Sequence, residues 1–410
     1  MERNASVACC VTTTVVPPVP PEYAGREQAY IKHLFLRQYL GRLVHKIGSF
    51  AHHIVYVDGF SGPWKSGAEN YADTSFGIAL KALTDARSSW ANMSGRARDV
   101  RMSAHLVETD PSAFAQLQTI DAHFPAVDVH PYPRDFMQVA PEIASAIPPS
   151  AFSFVLVDPK GFALDIDKLK PLLARERSEV VFNFMFDFAN RFTKLPQLQA
   201  TFDRLFVGVD WREELDRLEA NPETTPDDRK AAFLRWFKSA VRNVGGFQYV
   251  ADVEVQYPGR GRTFYYLVYG TRKPAGLKVF RDCQIKALEE QSAVAGRMQV
   301  QAMTDARQGF LFGLPEPALD LKLRDSMERE RTSARQMLLQ LLPEEGPGAA
   351  WEVLWPKVLA DHVISEGALG RIANELRKAN VVSIPAWSSE RKQIPEDNYR
   401  LFRGPKFLQV

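Results

Sequence analysis

The sequence holds only three cysteines in 410 residues, Cys9, Cys10 and Cys283. Two are neighbours near the start of the chain, so no spacing supports a disulfide framework or a zinc site. A chain with so little cysteine suits a reducing compartment, and a cytoplasmic location is expected. An excess of one charge is missing too: 51 Lys and Arg against 49 Asp and Glu leave a formal +2. That excludes a global basic footprint and leaves room only for a local one. No apolar run is long enough to span a bilayer, so no membrane partner is expected. Residues 5–20 are mildly apolar but lack the strong core and cleavage site of a signal peptide. The eight histidines are scattered without metal-ligand spacing, and no G-x-S-x-G elbow is present. Metal catalysis and serine-hydrolase chemistry find no support there. Internal repeats and low-complexity blocks are also missing.

What is present is apolar patterning. Apolar residues make up 45% of the chain, enough for sizeable cores in two or three domains. Residues 1–25, with Pro17, Pro18, Pro20 and Pro21 and no periodicity, are expected to be a disordered leader. Ile31, Leu34, Phe35, Tyr39, Leu43 and Ile47 recur at helical spacing and predict a helix over 28–47. Short apolar runs then alternate with helix-length segments. Strands are predicted at 53–57, 101–107, 127–130, 152–157 and 179–185, with helices at 75–85, 111–120, 136–147 and 166–173. Residues 86–100 read as an inserted loop. Buried strands separated by helices indicate a parallel sheet covered on both faces. After a helix at 226–244, two further runs at 249–257 and 263–269 flank Pro-Gly-Arg-Gly and predict a hairpin. The expected architecture is α/β: a Rossmann-like sheet ending in an antiparallel hairpin over 26–290, a helical connector over 291–345, and a small winged-helix-like α+β module over 346–410.

Ligands of an open parallel sheet bind outside the carboxyl ends of its strands. Four acids fall at such ends. Asp58 follows the first strand in Asp58-Gly59-Phe60-Ser61-Gly62-Pro63-Trp64, where the glycines permit close backbone approach and the acid suits a ligand amine. A full G-x-G-x-x-G is missing, so a dinucleotide fits poorly. The other reading is a plain strand-terminal turn. Glu108 follows the second strand and suits ribose hydroxyls, while Thr109 or Asp110 caps the next helix. Asp135 suits an adenine amino group or caps the helix from Phe136. Asp158-Pro159-Lys160-Gly161-Phe162 ends the fourth strand, with a carboxylate and carbonyls to hold an acceptor group, a lysine for an anion and a ring to stack on a planar substrate. Asn183 and Asp187, on or after the fifth strand, close a substrate site or serve as satisfied core groups.

Together these residues resemble a known family. Lys32-His33 and Tyr39-Leu40 in the leading helix precede YVDGFSGP at 56–63, LVETD at 106–110, LVDPKGF at 156–162, FNFMFDFANRF at 182–192 and YYLVYGTRKPAGLKVF at 265–280. This order is similar to the three-Cys-motif partner proteins, a bacterial family with a class I methyltransferase-like fold. The resemblance covers about residues 28–290. It implies S-adenosylmethionine bound at Asp58, Gly59, Phe60, Gly62, Pro63, Glu108 and Asp135. It implies catalysis near Asp158, Pro159, Lys160 and Phe162, and a partner carrying three cysteines. Lys160 departs from the Asp-Pro-Pro-Tyr pattern of amino-methyltransferases, which has proline at that place.

The function expected is methyl transfer to a macromolecule, possibly nucleic acid. Residues 366–403 are the candidate nucleic-acid surface. Leu369, Ile372, Ala373 and Leu376 form an inward stripe, while Arg371, Arg377, Lys378, Arg391 and Lys392 lie off it among interleaved acids. A solvated or protein-binding face fits that pattern equally. The rival function is a non-catalytic adaptor that keeps the fold to bind the three-Cys-motif partner. A nuclease-like component using Asp58 and Asp158 for metal is a third, weaker reading.

Overall fold

The computed structural model describes residues 18–62, 66, 69–161, 163–192, 195–257, 262–305, 318–389 and 391–407. In chain order the elements are α1 (Glu27–Gly48), β1 (His53–Asp58), α2 (Ser75–Ala91), β2 (Arg101–Val107), α3 (Pro111–Leu117), β3 (Asp128–Tyr132), α4 (Phe136–Ala146), β4 (Phe152–Val157), α5 (Lys170–Leu173), β5 (Ser178–Phe184) and α6 (Phe186–Phe192). They continue with α7 (Gln199–Leu205), α8 (Trp211–Ala220), α9 (Pro226–Gly245), β6 (Tyr249–Gln256), β7 (Thr263–Thr271), α10 (Pro274–Asp305) and α11 (Ala318–Gln340). The last are β8 (Ala349–Ala350), α12 (Trp351–Asp361), α13 (Glu366–Lys378), β9 (Val382–Ser383) and β10 (Arg400–Arg403).

Seven strands form one sheet in the order β3-β2-β1-β4-β5-β7-β6. The first five run parallel, and β7 inserts antiparallel between β5 and β6. This is the Rossmann-like order of class I methyltransferases, with the expected terminal hairpin. Successive strand residues point to opposite faces, which splits the core in two. Ile54, Tyr56, Phe154 and Leu267 face α1, α2 and α10. Val55, Val57, Val155, Phe182 and Val268 face α4 and α9.

Three expectations about boundaries are corrected. The leader does not extend to residue 25: Val19 and Tyr23 are buried, and the Tyr23 hydroxyl hydrogen-bonds His33 Nδ1 at 3.1 Å. Residues 1–17 lie outside the described residues. Residues 86–91 continue α2 rather than open a loop, because Ala86 extends the stripe of Leu80 and Leu83. Trp90 then packs over Gly48 and donates its indole N–H to the His45 carbonyl at 3.2 Å. No boundary falls at 290, since α10 runs unbroken through it and buries Phe280, Cys283, Ala287 and Val294 in one stripe.

The C-terminal α+β unit is a three-stranded sheet, order β8-β10-β9, beside α11, α12 and α13. It is bolted to the edge strand of the large sheet. Buried Arg281 of α10 donates to the Leu359 carbonyl (2.6 Å), the Ala360 carbonyl (3.0 Å) and Gln284 Oε1 (2.5 Å). Gln284 in turn donates to the Asp252 carbonyl of β6 at 2.7 Å. Burial lowers the Arg281 pKa, the charges of Asp252, Glu330 and Asp361 oppose that, and the carbonyls satisfy its buried N–H groups. Arg281→Ala strips three acceptors of one buried donor and is expected to cost roughly 3 kcal/mol. Urea unfolding measures it; an unchanged midpoint would mean the bolt is redundant.

Candidate functional site

Strand order reverses between β1 and β4, which makes the space beyond their carboxyl ends the crevice of this sheet. Asp58 is level with Leu106 of β2 and Leu156 of β4. Glu108 and Asp158 therefore each stand two residues past Asp58, on either side of it. Neighbouring strands lie about 4.8 Å apart, so the three acids share one edge of the sheet.

Asp58 is only 1% exposed. Its Oδ1 accepts from the Phe60 N–H at 3.0 Å and its Oδ2 from the Tyr56 hydroxyl at 2.8 Å. Burial raises its pKa to about 6, against the pull of those two donors; the charge of Asp158 adds to the rise and that of Lys32 opposes it. The carboxylate thus acts on the crevice through its charge and through the turn it shapes. That turn is stitched down as well. The Gly59 N–H donates to the Leu156 carbonyl at 3.0 Å and the Ser61 N–H to the Val107 carbonyl at 2.8 Å. At Gly59 a Cβ would meet the Phe136 ring at 2.4 Å, so the missing side chain also makes room for Phe136. Phe60 is half-buried and stands edge-on to the same ring. Pro63, Trp64 and Phe162 lie outside the described residues.

Glu108 is buried and its Oε1 accepts from the Asp110 N–H at 2.7 Å. Asp110 itself caps α3 through the Ala113 N–H at 2.8 Å. Helix capping is therefore done by the neighbour, and Glu108 keeps a second oxygen with no bond recorded among the described residues. Asp135 goes the other way. Its Oδ1 caps α4 through the Gln138 N–H at 3.2 Å, so helix initiation explains this acid without an adenine contact.

Asp158 is gripped from two sides. Lys32 Nζ of α1 lies 2.5 Å from its Oδ2, and Asn183 Nδ2 of β5 lies 2.5 Å from its Oδ1. The lysine and aspartate side chains keep 13% and 17% exposure, so both stay partly open to solvent. Among the described residues Asn183 Oδ1 is buried without a partner, which leaves the amide oriented by Asp158. Pro159 is buried beneath, and Lys160 is exposed. Asp187 is closed off by Arg191, Arg262 and the Tyr257 hydroxyl (3.1 Å), tying the hairpin to α6. In the sequence Lys32 stands only as half of the Lys32-His33 pair that opens the family resemblance, with nothing to tie it to Asp158.

A cleft of about 540 Å³ lies beside these acids rather than over them, between the start of α1, β6, α10 and α11. At its edge the Tyr265 hydroxyl donates to the carbonyl of Gln28, one of the lining residues, at 2.7 Å. Among the described residues, no three His, Cys, Asp or Glu side chains gather as a metal site, and no helix is long and apolar enough to cross a membrane.

No protein-family model and no curated protein matches the chain. Solved structures do. A Legionella pneumophila protein of the DUF519 family model is 12% identical, with 62% of this chain and 90% of that one covered at a TM-score of 0.34. The O-methyltransferase TomG of Streptomyces achromogenes, solved with SAM, is 15% identical over 57% and 79% at 0.27. The bifunctional kinase-methyltransferase WbdD is 12% identical over 95% and 78% at 0.33. The strand order, rather than these distant likenesses, carries the fold assignment.

Proposed function

We propose that the chain is an S-adenosylmethionine-dependent methyltransferase acting on a macromolecule, with nucleic acid the leading class. The observation that carries this is Glu108: a buried acid at the end of β2, one strand from the switch point, relieved of capping duty by Asp110. That placement suits the vicinal ribose hydroxyls of the cofactor. Asp58 adds negative charge beside the turn 58–62, which suits the cofactor's cationic end. Bound there, S-adenosylmethionine supplies a methyl group on an electrophilic sulfonium. The chain's own task is then positioning, and Asp158, Lys32 and Asn183 form the acceptor side.

The C-terminal unit supports a nucleic-acid target in part. Its order helix, strand, helix, helix, strand, strand, with β10 central, is compatible with a winged helix. Arg371, Lys378 and Arg391 are exposed for phosphates. Arg377 and Lys392 instead turn back over the Trp387 and Tyr399 rings. Membership of the three-Cys-motif partner family, and a partner carrying that motif, are part of the same proposal and rest on the motifs at 56–63 and 156–162.

Isothermal titration with S-adenosylmethionine tests the reading. Binding is expected, and Glu108→Ala should weaken it by about 10- to 100-fold, the worth of hydrogen bonds to a charged group. No heat at millimolar cofactor would sink the enzyme and favour the adaptor, which captures its three-cysteine partner without any cofactor.

A further inference from the structure

We infer that the methyl acceptor is a hydroxyl group and that Lys32 selects it; the inference rests on the methyltransferase reading above. Lys32 sits on the core-facing side of α1, between buried Ile31 and His33. A lysine there is costly unless a partner or a task holds it. Its partner is Asp158 at 2.5 Å, and Asn183 fixes the opposite carboxylate oxygen. Only one of the three ammonium N–H donors has a recorded bond among the described residues.

Any acceptor group that settles against this pair meets a fixed donor, Lys32, and a fixed hydrogen-bond acceptor, Asp158. A hydroxyl satisfies both. It donates its proton to Asp158 and accepts from Lys32 with one lone pair, and the second lone pair stays free to attack. An amine cannot do this. Its single lone pair is the nucleophile, and a Lys32 N–H aimed at it would occupy it. A thiol is too weak an acceptor to hold the lysine. The cation also favours the negative charge that grows on an oxygen losing its proton. In the transfer, a new O–C bond forms as the C–S bond of the sulfonium breaks and leaves its electron pair on sulfur. The hydroxyl proton passes to the Asp158 carboxylate and on to water, while Lys32 keeps its own protons. On RNA the matching group is the ribose 2′-hydroxyl, which the internal sugars of DNA lack.

The test uses the full chain, methyl-labelled S-adenosylmethionine, and two probes: total RNA and total soluble protein of a cell extract. Labelled products are digested and the methyl linkage is read by mass spectrometry. Cofactor affinity is read separately by titration. A methyl ether is expected, with Lys32→Met lowering its formation about 100-fold or more. Cofactor affinity of that variant should stay within about threefold. Lys32→Gln, which keeps an N–H for Asp158, provides a folded comparison if Lys32→Met unfolds, and it should show the same loss. An N-methyl product overturns the inference and leaves the methyltransferase reading standing. So does wild-type transfer by both variants. A tenfold loss of cofactor affinity in Lys32→Gln makes the lysine a cofactor ligand and overturns it too. Failure of the wild type to bind cofactor is the distinct outcome that removes the underlying reading.

Discussion

Asp158→Asn is expected to lower methyl transfer about a thousandfold while S-adenosylmethionine affinity stays within about threefold. The amide is the same size as the carboxylate, and the surroundings can accept it. Its oxygen still accepts from Lys32, now at 2.5 Å from Asp158 Oδ2. Its nitrogen would face the Asn183 Nδ2, but a half-turn of the Asn183 amide brings the unpartnered Oδ1 into place. The fold therefore has a relaxed answer to the substitution, and what disappears is the negative charge that, in the proposed mechanism, orients the acceptor and takes its proton. Asp158→Ala is the harsher variant, because it removes the carboxylate that Lys32 bonds at 13% exposure, and losing a hydrogen bond between charged groups costs about 1.5–3 kcal/mol. Equal loss of transfer and cofactor binding in Asp158→Asn would overturn the division of labour, since it would make Asp158 a cofactor ligand.

The difference between these two sides of the site mirrors what the sequence could show. Strand ends are local events. An apolar, β-branched run such as HIVYV or FSFVLV announces a buried strand, and the acid that follows it announces a crevice residue. Asp58, Glu108 and Asp158 were legible for that reason. The helix cap at Asp135 is equally local, and the two readings of that acid could only be separated by seeing its bond to Gln138. Lys32 was illegible because its meaning lies 126 residues away, across a crossover that periodicity does not report. The room that Gly59 leaves for Phe136 was hidden for the same reason, since two helices and two strands separate them in the chain. The extent of α2 and the unbroken α10 were hidden because Trp90 and Val294 find their partners only in the tertiary structure.

Asp58→Asn is expected to stabilise the cofactor-free protein by about 3 kcal/mol at pH 8 and by about half of that at pH 5. The native pKa of Asp58 is raised to about 6 from an ordinary 3.8, with burial the largest cause. Below pH 4 the acid is protonated whether folded or unfolded, and it has no effect. Between pH 4 and 6 the unfolded chain loses the proton while the folded one keeps it, so stability falls as pH rises. Above pH 6 the full penalty of about two pK units is in place and stays constant. An amide never ionises and escapes the penalty. It also fits the site, since its oxygen accepts from the Phe60 N–H and its nitrogen donates to the Tyr56 hydroxyl, which can accept as well as donate. Urea midpoints of both proteins at pH 5 and pH 8 measure the effect, and a variant less stable than wild type at pH 8 would overturn the argument. A buried acid kept at such a cost at neutral pH has a use for its charge. On the proposed reading, in which ionised Asp58 faces the cationic end of the cofactor, the variant should accordingly show weaker S-adenosylmethionine binding at pH 8.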